Sequence, residues 1–202
     1  GARATDAAEE IQRVLPVIRE LGARSPVPIS IDTSKPEVMT AAVAAGAGLI
    51  NDVCALRADG AIEAARALGV PVCLMHMQGK PETMGDDPHY QDVVREVGEF
   101  LRHRVAACVE GGISQQKLLI DPGFGFGKNF DHNRRLLLDL DVLAGLGLPL
   151  MVGFSRKGFV GAFLGDLNRD RAIGSAGLAL MAVQKGARVV RVHDVMPTRD
   201  LI

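Results

Sequence analysis

Three observations on this 202-residue chain predict an α/β fold built on a parallel sheet. Short apolar or β-branched runs alternate with longer stretches of helical period. Small residues abound, with 23 glycines and frequent Ala and Val against 4% aromatics and no Trp, which suits close packing of helices on a sheet. Polar and charged residues recur at the end of one apolar run after another, where parallel βα units gather their chemistry.

The elements follow in order. Ile11, Val14, Leu15 and Ile18 share one face of a helix over 5–21, and a strand over 28–32 comes next. Ser34 and Glu37 have the spacing of a capping box with Pro36 in the first turn, so a helix starts directly after Asp32 and runs to about residue 45. Strands over 48–52 and 70–75 precede a long helix over 90–110, whose apolar face is Val93, Val94, Val97, Leu101, Val105 and Cys108. Strands over 117–121, 148–153 and 187–193 complete the set, and 197–202 reads as the first turn of another helix. Such a series fits either an open doubly wound sheet or part of an eightfold barrel. The chain opens on a helix with no strand before it and closes on a helical turn, and a (β/α)8 TIM barrel takes about 250 residues. The expectation is therefore a (β/α)8 barrel lacking its first two strands and most of its last helix. With no internal linker or repeat, 1–202 reads as a single domain.

Composition excludes several function classes. At 48% hydrophobic, 23% charged and net charge −1, the chain is not disordered and carries no global basic field, so neither a nucleic-acid partner nor a membrane-surface partner is expected. No apolar stretch approaches the roughly 18–20 residues of a membrane span. Gly1 to Glu10 lack the basic start and apolar middle of a signal peptide, and a cytoplasmic location is expected. Cys54, Cys73 and Cys108 are widely spaced in apolar runs, which suits reduced core thiols better than a disulfide framework or a zinc site.

The apolar runs end in Asp32, in Asn51-Asp52, in Met75-His76-Met77, in Asp121, in Gly153 ahead of Ser155-Arg156-Lys157, and in Arg191-Val192-His193-Asp194. Singly, each has a structural reading: Asp32 caps a helix, Asn51 holds a turn, His76 is a satisfied core residue, Lys157 is a solvated helix start. Together, turned toward one rim, they point to a ligand with a polar heterocyclic edge and an anionic group. A buried carboxylate such as Asp121 accepts two parallel N–H bonds from an amidine-like edge. Arg191 and His193, two apart on a strand, face one side and clamp a phosphate or diphosphate. Lys157 serves a carbonyl or a developing charge. Gly123, Gly125, Gly127 and Lys128 match neither phosphate-loop spacing, so their glycines are read as tight turns, with Phe124 and Phe126 available to shield a ligand. His76 has no second His or Cys placed to share a metal. Ser155 lacks the nucleophile-elbow motif and an evident His–Asp partnership.

The segments Ile31-Asp32-Thr33-Ser34-Lys35-Pro36-Glu37, Ile50-Asn51-Asp52, Leu74-Met75-His76-Met77-Gln78-Gly79, Asp121-Pro122-Gly123-Phe124-Gly125-Phe126-Gly127-Lys128, Gly153-Phe154-Ser155-Arg156-Lys157 and Arg191-Val192-His193-Asp194-Val195 resemble the dihydropteroate synthase family, in order and over nearly the whole chain. The resemblance implies a (β/α)8 barrel of folate biosynthesis, a transferase that joins 6-hydroxymethyl-7,8-dihydropterin diphosphate to 4-aminobenzoate and releases pyrophosphate. It further implies Mg2+ as cofactor, sulfonamides as competitors and a homodimer. By similarity, Asp32, Asn51 and Asp121 hold the pterin, with Asp121 on its N–H and amino edge and Met75 packed on the ring. Lys157 meets the pterin carbonyl near the aminobenzoate, Phe126, Gly153 and Ser155 line the aminobenzoate site, and Arg191 and His193 grip the diphosphate. Lys157, Arg191 and His193 are thus the expected catalytic residues.

Two family features have no counterpart in the sequence: an opening strand with an Asn-containing Thr-Pro-Asp loop, which binds Mg2+ and diphosphate, and a Ser-Thr-Arg-Pro loop that helps close over aminobenzoate. Gly1-Ala2 is similar to the stretch just after the second loop, and no metal ligand is expected within this chain. The alternatives are a noncatalytic or truncated pterin-binding paralogue and a methyltetrahydrofolate-dependent domain that passes a methyl group to a corrinoid. The Ser155-Arg156-Lys157 and Arg191-Val192-His193 segments stand against the second.

Overall fold

The computed structural model describes residues 5–79 and 87–202. Gly1 and Ala2, likened above to a family segment, lie outside the described residues. Helix α1 (Ala7–Arg24) begins where the Asp6 side chain accepts the Glu9 N–H, with acidic residues in its first turn and Arg24 in its last, the polarity that suits a helix dipole. There follow β1 (Ile29–Asp32), α2 (Pro36–Ala44), β2 (Ala47–Asp52), α3 (Ala61–Leu68), β3 (Val72–Met75), α4 (Val93–Glu110), β4 (Leu118–Asp121), α5 (Phe130–Leu138), α6 (Leu140–Ala144), β5 (Leu150–Val152), α7 (Gly158–Phe163), α8 (Ala172–Gln184), β6 (Ala187–Val190) and α9 (Val195–Leu201). The predicted α/β alternation is thus observed, with every strand pairing recorded among the described residues parallel.

The chain forms two compact units, one of residues up to Met75 together with Leu101–Leu119, the other of His76–Phe100 with Ile120–Ile202. In the first, β1 pairs with β2 and β2 with β3, placing Asp32 beside Asn51 and Asn51 beside Cys73. Val38, Met39 and Ala42 of α2 and Ile50, Val72 and Leu74 of the strands are fully buried there. In the second, β5 lies between β4 and β6, with Ile120 opposite Leu150 and Val152 opposite Val190. Its core includes Leu136, Leu137, Phe154 and Ala179. Each large apolar side chain so buried contributes about 1.5–3 kcal/mol.

Two local expectations are corrected. The capping box at Ser34 and Glu37 does not form: Lys35 occupies the cap of α2 without a side-chain bond, because the Ser34 hydroxyl donates to Asp52. Pro36 does open the helix. Strand β6 stops at Val190, so Arg191 and His193 lie beyond it and strand alternation does not set their directions.

Asp52 shows what took Ser34 away. Fully buried at the end of β2, it also accepts N–H bonds from Cys54 and Leu56, each at 2.7 Å. Burial nevertheless raises its pKa above the usual carboxylate value, and the Ser34 and backbone bonds offset that only in part. The turn it holds passes through Ala55 (φ 54°) and Leu56 (φ 53°), left-handed conformations that non-glycine residues rarely adopt. From α4, Arg104 donates Nε to the Ala55 carbonyl at 2.8 Å and Nη2 to the Leu56 carbonyl at 3.0 Å. Arg104→Ala should lower the unfolding free energy by about 2–3 kcal/mol through loss of these two charged bonds, read as a lower urea midpoint at unchanged m-value. Arg104→Lys should restore only part of it, since an ammonium does not span two carbonyls as the guanidinium fork does.

Candidate active site

β4 delivers Asp121 to the start of a glycine-rich loop. Its side chain accepts the Gly123 N–H at 2.7 Å, and its carbonyl accepts the His76 N–H at 2.9 Å. Burial raises the Asp121 pKa, while the Gly123 N–H and the charges of Lys157, Lys128 and Arg191 act in the other direction. The loop turns through positive φ at Gly123, Gly125 and Gly127. At Gly127 glycine is also required by space, since a Cβ would stand 2.5 Å from the Gln78 carbonyl oxygen. Lys128 closes the loop and turns inward: its buried ammonium lies 2.9 Å from His76 Nδ1 and 3.0 Å from each of the Gly123 and Phe126 carbonyls. Burial pulls its pKa down to about 7, against the opposing pull of Asp121. Tyr90 donates its hydroxyl to the Gly127 carbonyl at 2.8 Å.

Above this loop, the Lys157 ammonium donates to the Phe124 carbonyl and stands 4.2 Å from the centroid of the Phe126 ring, a cation–π contact. Phe126 is half-buried. Phe124 is not, which corrects its expected shielding role: it is fully buried, with its ring centroid 4.5 Å from that of Phe154.

Lys157 reaches its position through a sharp turn. Arg156 has φ 58°, and its N–H donates to Ser175 Oγ while its carbonyl accepts from Arg171, both at 3.0 Å. On the other side of that turn, Ser155 Oγ accepts the His193 N–H at 3.0 Å and lies 2.9 Å from His193 Nδ1. This is a Ser–His partnership that the spacing in the sequence did not disclose. The neighbouring Asp194 carboxylate is engaged by the Arg156 guanidinium at 2.9 and 2.5 Å, which holds its pKa below the usual range and takes it out of a Ser–His–Asp relay. A Cβ on Gly153, just past β5, would stand 3.8 Å from the Arg191 Cβ, and the Arg191 N–H donates to the Val152 carbonyl at 2.8 Å. The arginine side chain itself is exposed. Asp121, Phe126, Gly153, Ser155, Lys157, Arg191 and His193 are thus all carried by one compact unit.

The other unit carries Asp32, Asn51 and Met75, each at or next to the carboxyl end of a strand. Asp32 is exposed and Met75 is buried. Asn51 is buried with its Oδ1 lacking any hydrogen-bond partner. An unsatisfied buried acceptor costs about 1–3 kcal/mol. Cys73 and Cys108 are buried free thiols as expected, and Cys54 is a half-buried one.

Reading the sequence missed Lys128, Tyr90, Asn133 and the Asp52 turn. For Lys128 and Asn133 the available signal was weak: a lysine directly after a glycine loop, and Asn129 and Asn133 one helical turn apart.

Comparison with known proteins places these features. A family model described as "Pterin binding enzyme" matches residues 1–193. The chain is 48% identical over 198 residues to the dihydropteroate synthase of Escherichia coli (strain K12), covering 98% of this chain and 70% of that protein. Its structure is similar to that of Xanthomonas albilineans dihydropteroate synthase with 4-aminobenzoic acid, at TM-score 0.93 and 51% identity over 99% of this chain and 71% of that one. It is similar also to a sulfonamide drug complex of Yersinia pestis dihydropteroate synthase, at TM-score 0.94 and 47% identity over 98% and 72% of the two chains. The chain belongs to the pterin-binding enzyme family and, within it, to the dihydropteroate synthases.

Proposed function

We infer that this chain catalyses the condensation of 6-hydroxymethyl-7,8-dihydropterin diphosphate with 4-aminobenzoate to 7,8-dihydropteroate and pyrophosphate, as a transferase of folate biosynthesis that sulfonamides inhibit. The observation that carries this reading is the buried Asp121 carboxylate, anchored on the Gly123 N–H in the compact unit that also carries Lys157, Arg191 and His193. A carboxylate so placed accepts the N–H and amino edge of a pterin, and cations beside it suit a ligand that ends in diphosphate. On the same reading the parallel strands are part of a (β/α)8 barrel, 1–202 is one domain, and the protein is a cytoplasmic homodimer. No helix among the described residues is long and apolar enough to cross a membrane.

Each expected residue then has a task. Asp32, Asn51 and Asp121 take the pterin's polar edge, with the Asn51 oxygen gaining the donor that it lacks. Met75 packs on the ring. Phe126, Gly153 and Ser155 line the aminobenzoate site, and Lys157 meets the pterin carbonyl beside it. In the reaction the bond between the pterin methylene and the diphosphate oxygen breaks, its electron pair leaving with pyrophosphate. The arylamine nitrogen bonds to the methylene and releases one proton. Charge grows on the leaving group, and Arg191 and His193 stabilise it electrostatically. Mg2+ would be expected with the diphosphate, but the described residues contain no group of three His, Cys, Asp or Glu side chains able to hold a metal, so they do not by themselves fit that ion.

Dihydropteroate formation from the two substrates, competed by a sulfonamide, tests the reading directly; pterin binding without turnover would favour the noncatalytic alternative instead. Arg191→Ala should lower kcat by roughly 100-fold, the scale of one lost charge-stabilising donor, while pterin affinity measured by calorimetry stays nearly unchanged. Asp121→Asn should weaken pterin binding by about 10- to 100-fold, the equivalent of one charged hydrogen bond. Only the ionised Asp121 accepts both donors, and its pKa is raised by burial. Pterin affinity should therefore fall as pH falls through that raised value, at a pH above the ordinary carboxylate range, and Asp121→Asn should abolish this dependence.

A further inference from the structure

The roles above leave Lys128 and Asn133 without a task, although the fold takes both out of water. Lys128 is 8% exposed and Asn133 is 1% exposed. The three polar atoms around the Lys128 amine, the Gly123 and Phe126 carbonyl oxygens and His76 Nδ1, match its three N–H groups one for one. Asn133 grips the same loop further along: its Oδ1 accepts the Gly125 N–H at 2.7 Å, and its Nδ2 donates to the Lys128 carbonyl at 3.2 Å and the Asn129 carbonyl at 2.7 Å. The backbone is thus held from within at Gly123, Gly125, Phe126 and Lys128.

What this backbone presents outward is the Phe126 ring and the seat of Lys157. The ammonium rests on the Phe124 carbonyl and the Phe126 ring, and Lys157 Cδ passes 3.0 Å from where a Cβ on Gly125 would lie. A cavity of about 570 Å3 opens beside them, lined by Gly125, Phe126, Asn133, Lys157, Gly158 and Phe159 among others. Asp121 is anchored by two residues that Lys128 also holds, through the His76 N–H on its carbonyl and the Gly123 N–H on its carboxylate, whereas the side-chain bonds of Asn133 fall at Gly125, Lys128 and Asn129.

We propose that Lys128 and Asn133 are positioning residues for the aminobenzoate half of the site, holding the 122–127 loop in the shape that seats Phe126 and Lys157 beside this cavity. The proposal rests on the activity inferred above. Neither side chain touches the reacting atoms; both act through the loop, and a displacement of about 1 Å in such a support is enough to cost up to 100-fold in rate.

The test is steady-state kinetics of the purified protein and of Lys128→Met, Lys128→Arg and Asn133→Ala, with each substrate varied in turn and Tm recorded. Asn133→Ala should raise KM for 4-aminobenzoate by about tenfold or more, within the range expected for a misplaced support, and raise KM for the pterin diphosphate much less, whereas Lys128→Met, which also releases Gly123 and His76 behind Asp121, should raise both. Lys128→Arg, which keeps a cation and its donors, should recover most of the loss. In Asn133→Ala, a fall in activity with both KM values unchanged, or an equal rise in both, would overturn the proposal. Should Lys128→Met not fold, Asn133→Ala alone carries the split and the refutation. No dihydropteroate from the unsubstituted protein would overturn the inferred activity, and the proposal with it.

Discussion

Burying an anion and a cation within one loop is the constraint around which the second unit is arranged. An isolated carboxylate or ammonium moved out of water loses several kcal/mol of solvation, and Asp121 and Lys128 are both buried. The unit compensates mainly with backbone: the Gly123 N–H for the carboxylate, and the Gly123 and Phe126 carbonyls for the ammonium. Backbone groups can converge so closely only where the chain turns through positive φ, which accounts for the glycines at 123, 125 and 127. The glycines of the loop and its shape thus trace to one electrostatic requirement.

The first unit meets a similar requirement with different parts. Asp52 is as deeply buried, and its turn uses Ala55 and Leu56 in place of glycines, with Arg104 reaching from a distant helix to their carbonyls. Here the arrangement is closed, since the carboxylate oxygens already have donors. Its neighbour Asn51 is left with an open acceptor. Adjacent residues on one strand therefore differ: Asp52 holds the turn, while the Asn51 oxygen has no partner among the described residues.

Much of this was legible in the sequence because period and position carry it. Alternating apolar runs located the strands to within a few residues, and strand ends located Asp32, Asn51, Met75 and Asp121. The failures have physical causes. Ser34 has the spacing of a helix cap, yet a buried carboxylate 18 residues away is the stronger acceptor for its hydroxyl. Arg191 and His193 were read as strand residues because β-branched character continues through Val192, whereas the pairing ends at Val190. Phe124 and Phe126 look equivalent in sequence, and only packing against Phe154 separates core from rim. Lys128 is barely legible because its place after a glycine loop does not distinguish a solvated lysine from one whose acceptors include a histidine 52 residues earlier.

The interleaving of the two units bears on how the protein is made. Residues Leu101–Leu119 complete the unit begun by the amino-terminal stretch, and His76–Phe100 completes the unit that continues from Ile120. During synthesis at about 5–20 residues per second, the first unit waits for Arg104 before the carbonyls of Ala55 and Leu56 are tied. His76 leaves the ribosome well before Lys128 exists to meet it. Contacts this distant in the chain slow assembly, so the glycine-rich loop is among the later parts to become native.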